Sequence, residues 1–138
     1  MCQVNNRLKN TGEKGLECYK VFKVYYNPST KYLAYLSPVY NTRWIKGRRH
    51  VAPWPVSLND HTHNGQNPSP YFINGGYYHM FLHRKDAEEY KEMLSGSMRS
   101  ALSVQKVIVP PYTDYYEGVV QLGDEGEYKS IASNVVIF

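Results

Sequence analysis

The eight residues Tyr19–Tyr26 (YKVFKVYY) constrain the fold more than any other stretch of the chain. Apart from two lysines they are all β-branched or aromatic. Such side chains pack well on a pleated, half-buried surface and crowd the preceding turn of a helix. Asn27-Pro28-Ser29-Thr30 comes next as a turn signal, and Lys31–Leu36 (KYLAYL) reads as the returning strand of a hairpin. A hairpin so early calls for a β-rich plan in the rest of the chain.

The remaining punctuation extends that plan. Ser37-Pro38 stops the strand, and Arg43–Lys46 (RWIK) reads as a third, short one. Tyr77–Leu82 (YYHMFL) reads as a strand leading into a helix over Arg84–Ser95, with Asp86, Glu88 and Glu89 near its positive end. Ala87, Tyr90, Met93 and Leu94 fall at helical spacing and form one apolar stripe, which Gly96 ends. Val104–Val109 (VQKVIV) reads as a strand stopped by Pro110-Pro111. Gly118–Leu122 and Ser130–Phe138 supply the last strands, with Ile131, Val135, Val136, Ile137 and Phe138 expected in the core. Between Gly47 and Gly76 the chain carries Pro53, Pro55, Pro68 and Pro70 and few regular apolar positions. That spacing predicts a loop of roughly thirty residues, against the usual four to six, and makes it the first place to look for a site. Residues 1–18 are polar, with Gly12 and Gly15, and are expected to form a flexible N-terminal arm. The expectation is therefore one α+β domain over 19–138: a mainly antiparallel β-sheet, one packed α-helix and one long loop.

Composition narrows the class. At 138 residues and 42% hydrophobic, the chain suffices for one ordinary core and is unlike a disordered tail. No apolar run approaches a membrane span, and MCQVNNRLKN is too polar for a signal peptide, so a soluble, cytoplasmic protein is expected. Cys2 and Cys18 are too few for a disulfide scaffold and wrongly spaced for a cysteine zinc site. Tyrosine, at 14 residues, is about three times its ordinary usage. The net charge of +4 is unevenly placed. Residues 1–49 hold ten Lys/Arg and two acids, whereas 50–138 hold six Lys/Arg and ten acids. Asp114, Glu117, Asp124, Glu125 and Glu127 succeed one another without an intervening base. A polarised surface of this kind steers charged partners.

Five groups of residues bear on function. In Arg43-Trp44-Ile45-Lys46-Gly47-Arg48-Arg49-His50, four permanent cations flank an indole, a pattern suited to phosphate contacts beside a stacking surface. The same cations suit an acidic protein groove, and a solvated strand end with Trp44 in the core is an equal alternative. Trp54 lies between two prolines with Tyr71 and Phe72 beyond, and exposed aromatics are favoured interface anchors. His61 and His63 with Asp60, and His79 with His83, have metal-like spacings. No cysteine pair or HExxH accompanies them, so no metal site is expected. No nucleophile elbow, P-loop or Gly-x-Gly-x-x-Gly occurs, so neither catalytic residues nor a cofactor are assigned. Glu125-Gly-Glu127 is loosely similar to the acidic motif of arginine-directed ADP-ribosyltransferases, but the Ser-Thr-Ser-type strand of those enzymes is missing, and Gly123–Gly126 reads more simply as a turn.

The order Tyr19-Lys20, Leu36-Ser37-Pro38, Trp44 with Gly47, Gly76-Tyr-Tyr-His79-x-Phe81, Ala87, Lys106-Val-Ile-Val-Pro110 and Ala132-Ser-Asn-Val-Val-Ile137 resembles a layout found in small bacterial and phage proteins. Small one-domain chains without catalytic motifs also resemble phage-encoded anti-defence factors, including anti-CRISPR proteins. That resemblance implies action by occupancy, without chemistry of the protein's own. The positive charge departs from the acidic DNA-mimic type. The function expected is a non-enzymatic binding protein that inhibits or regulates a larger protein or nucleoprotein complex, with nucleic acid within reach of the basic segment. Arg43, Lys46, Arg48 and Arg49 are the expected charge contacts, and Trp44 and Trp54 the expected anchors. The alternatives are a small nucleotide-binding protein that sequesters a signal, or a transferase using Glu125, Glu127 and His79.

Overall fold

The computed structural model describes residues 3–37, 43–52, 77–95, 101–122 and 126–138. Ten strands and one helix run in order: β1 (Val4–Asn10), β2 (Leu16–Asn27), β3 (Tyr32–Leu36), β4 (Arg43–Trp44), β5 (Arg49–Val51), β6 (Tyr78–Phe81), α1 (Arg84–Ser95), β7 (Ala101–Val109), β8 (Asp114–Gln121), β9 (Glu127–Ser133) and β10 (Val135–Ile137). A single 3-10 turn, Gly12–Lys14, sits between β1 and β2. Every pairing is antiparallel, so the mainly antiparallel α+β architecture expected from the sequence is what the chain adopts.

The strands run in the order β1-β8-β9-β6-β2-β7-β10-β5, with β3 added to β2 and β4 to β3. This path is two four-stranded halves, because three long strands bend at one level. β1 and β2 are separated by Thr11–Gly15, β7 and β8 by Pro110–Thr113, and β9 and β10 by Asn134 alone. Pairing resumes across the bend: Asn10 faces Asp114 and Leu16 faces Val109 on either side of it. Ala132 faces Tyr116 and Ile137 faces Ile108 in the same way. β6 then pairs with β9 and, at Tyr19–Phe81, with β2. The pairings β2-β7-β10 and β9-β6-β2 thus close a ring through Asn134, as strands do when a twisted sheet curls on itself.

Inside that ring lies the main core: Cys18, Phe22, Trp44, Met80, Val107 and Ile131, with their neighbours. Phe22 stacks on Phe138 at 4.7 Å and meets Trp44 edge-on at 5.5 Å. The opposite face of β2 and β7 presents Val21 and Val104, which join Phe81, Val120, Leu122 and Tyr128 beneath Ala87 of α1. The helix therefore packs on the outside of the ring, and Tyr90 and Leu94 complete its contact. Met93, placed in the same stripe from the sequence, is 40% exposed and lies off it.

The bend is held by backbone groups and one hydroxyl. Thr11 Oγ1 donates to the Pro110 carbonyl at 2.7 Å and accepts from the Thr113 amide at 3.0 Å. The Tyr112 amide donates to the Gly12 carbonyl at 2.9 Å. Gly15 has φ +72°, and a Cβ there would stand 2.8 Å from the Val109 carbonyl oxygen, so the close crossing requires glycine.

Residues 1–18, expected as a loose arm, instead contain β1 and the first part of β2. Asparagines lower the intrinsic strand preference of Val4–Asn10, but the open edge of β8 supplies a partner and overrides it. Asn5, at φ +56°, lies within the register shift between Val4 and Arg7, which is the left-handed conformation Asn tolerates best. The closing segment expected as one strand from Ser130 to Phe138 is two, and Ile131 and Val136 are its fully buried apolar members along with Ala132. Within the segment read as a long loop, Arg49–Val51 is strand β5. Residues 53–76 of that segment lie outside the described residues.

Candidate functional site

The basic segment is a reverse turn pinned on three sides. β4 pairs with β3 and β5 with β10, so Ile45–Arg48 must turn between them. The Gly47 amide donates to the Phe138 carbonyl at 2.9 Å, and the Phe138 amide donates back to the Arg48 carbonyl at 3.0 Å. The His50 ring reaches across the turn, with Nε2 3.2 Å from the Ile45 amide nitrogen. Alternation along β4 and β5 sends Trp44 inward, stands His50 against it, and leaves Arg43 and Arg49 exposed. Lys46 and Arg48, on the turn itself, are exposed as well.

Trp44 is a core residue. It is 2% exposed, its indole N–H donates to Ser37 Oγ at 2.8 Å, and its ring meets Phe22 and Tyr78 edge-on. The anchoring role expected of it is replaced by a packing role, because β4 must put one of two adjacent side chains into the ring and the indole is the apolar one. Trp54, the other expected anchor, lies outside the described residues. Among the described residues, Arg43, Lys46, Arg48 and Arg49 form no ion pair. Lys46 instead lies 5.9 Å from the ring centres of both Tyr35 and Phe138. From Cys18 to Asn59 the sequence contains no Asp or Glu, so nothing nearby in the chain neutralises these cations.

Two further residues carry unusual electrostatics. Lys20 shares the inward face of β2 with Cys18 and Phe22. Its ammonium donates to the His79 carbonyl at 3.0 Å and stands 5.6 Å from the Trp44 ring. Burial, with no counter-ion among the described residues, pulls its pKa down to about 8. His79 is pulled down to about 4, first by burial and then by the positive Lys20, and its Nδ1 is buried without a hydrogen-bond partner among the described residues. Sequence reasoning missed Lys20, because YKVFKVYY carries one lysine among apolar residues on each parity and both faces of β2 are partly covered. Cys18 is a buried free thiol pushed up to about 12 by desolvation, which makes it unreactive.

The remaining expected groups do not converge. His79 faces Ala132 on β6–β9, whereas Glu127 faces Gln121 at the start of β9. Five strand steps separate Ala132 from Glu127, roughly 16 Å and an odd number, so the side chains of His79 and Glu127 leave opposite faces. Glu125 lies outside the described residues, as do Asp60, His61 and His63. His83 is exposed at the start of α1, where its carbonyl accepts from the Ala87 amide. Among the described residues no group of three or more His, Cys, Asp or Glu stands close enough to hold a metal, and no helix is long and apolar enough to cross a membrane. Set against known protein families, curated proteins and solved structures, the chain matches none at significance.

Proposed function

We propose that this chain is a non-enzymatic binding protein that docks on a larger nucleoprotein complex and regulates it by occupancy. The observation that carries this reading is the turn over Arg43–Arg49: four exposed cations, none ion-paired among the described residues, on a backbone held rigid by Phe138 and His50. A clamped turn keeps its charges in place before contact, so little ordering entropy is lost on binding. Phosphate is the matching chemistry, since Arg grips it with paired N–H donors. The resemblance to phage anti-defence proteins fits a module of this kind, which blocks its target by covering it.

The test is affinity for labelled oligonucleotide, single-stranded and duplex, measured across a series of salt concentrations. Replacing Arg43, Lys46, Arg48 and Arg49 together by Ala is expected to weaken binding and to lower the salt slope by up to about 3, at about 0.7–0.9 for each phosphate no longer neutralised. Circular dichroism should be unchanged, because all four side chains are outside the core. An unchanged slope with unchanged affinity overturns the assignment.

A further inference from the structure

Cross-strand register places a second set of side chains beside the basic turn. Lys23 faces Leu36, and Leu36 faces Arg43, so β2, β3 and β4 present these three in one row on one face. Tyr25 is two residues from Lys23, and Tyr32 faces Asn27, so both tyrosines project from that same face. Tyr25 is 50% exposed and Tyr32 is 76% exposed. Tyr25 is opposite Ala34 and diagonal to Tyr32, a separation of about 7–8 Å. Neither ring contacts another aromatic ring among the described residues, and Ala34, the residue between them, is small and buried.

We propose that this face of the β2–β3–β4 sheet is a platform for single-stranded nucleic acid. Bases stack on Tyr25 and Tyr32 while the backbone runs along Lys23 and Arg43. The platform rests on the reading of the basic turn as a phosphate-binding element, and names the form of nucleic acid it takes. Charge and ring geometry together select the occupant. The charges at this end of the face are positive, since Lys23, Lys31 and Arg43 belong to the segment without an acid, while Glu17 and helix α1 lie toward the other end of β2. The rings offer flat π-surfaces beside those charges, which suit unpaired bases of any sequence and have no use in a duplex whose bases are already stacked. An acidic polypeptide would satisfy the cations and leave the rings unused.

The experiment measures fluorescence anisotropy of a labelled oligothymidylate, a duplex of the same length, and polyglutamate as competitor. Wild-type protein is expected to prefer the single strand, and polyglutamate to compete weakly. Tyr25→Leu and Tyr32→Leu should each weaken single-strand binding about tenfold with the salt slope retained, whereas Tyr25→Phe and Tyr32→Phe should bind as wild type. Both tyrosines are exposed, and the Phe variants report separately on folding. Equal affinity for duplex, or no loss in the Leu variants while the four-cation variant still flattens the salt slope, overturns the platform and leaves the basic turn standing. Effective competition by polyglutamate overturns nucleic acid as the partner class. If the four-cation variant also leaves the slope unchanged, the reading of the turn falls as well.

Discussion

A buried lysine inside the β-ring and a buried histidine on the other face of β6 set a stability profile that a purely apolar core would lack. His79 is held at about 4 against an ordinary 6.5, and Lys20 at about 8 against 10.5. The unfolded chain therefore binds more protons than the folded one between about 4 and 6.5, and again between about 8 and 10.5. Stability rises with pH across each window. Above about 10 the tyrosines whose pKa burial raises, Tyr78 and Tyr115 among them, reverse the trend. Urea midpoints measured from pH 4 to 10 should show two rising limbs separated by a plateau. His79→Gln should remove the acid limb. Lys20→Met should remove the alkaline limb and be about 1–3 kcal/mol more stable than wild type at pH 7, since it relieves an uncompensated buried charge. A single flat profile would mean that water reaches both groups. At this scale the sequence showed the strand but not its inward lysine, because YKVFKVYY sets one lysine among apolar residues on each parity. The surroundings of His79 Nδ1 were not legible either, because they depend on what β6, β8 and β9 bring around it.

Elements differ in how much of their geometry is local. Helix α1 begins and ends where its spacing and charges placed it, because caps and periodicity are properties of neighbouring residues. Its inward face is set by the sheet, and only the structure separates Ala87, fully buried, from Met93, 40% exposed. Ala87→Leu is expected to overpack the contact with Val21 and Phe81 and to cost about 1–3 kcal/mol in chemical denaturation. Met93→Lys should be neutral within about 0.5 kcal/mol. The reverse order of effects would mean that the helix is rotated on the sheet. Strand β1 is the opposite case. Its residues favour no strand, and it exists because Asp114–Val119 offers an unpaired edge more than a hundred residues later.

The whole molecule depends on pairings far apart in sequence, and this is the level at which the sequence was least legible. The hairpin of β2 and β3 was readable because its turn is local. The ring through β9, β6, β2, β7 and β10 was not, since no residue pattern states which strand meets which. Removing residues 1–10 tests the role of the N-terminal segment directly. The deletion would leave the β8 edge unpaired and break the Lys9–Glu117 ion pair. It should lower the thermal midpoint by at least about 5 °C and shift size-exclusion elution toward dimers or larger species. An unchanged midpoint would restore the reading of this segment as a loose arm. Asn134 is the only residue between β9 and β10. With so short a span, chain length there acts as a parity switch. One added residue would carry Val135–Ile137 through half a pleat period, turning Val136 out of the core and bringing Val135 and Ile137 to its inward positions. Insertions and deletions at this position are therefore filtered by count before any side chain is considered, and the Phe138 backbone that pins the cationic turn is placed by that count.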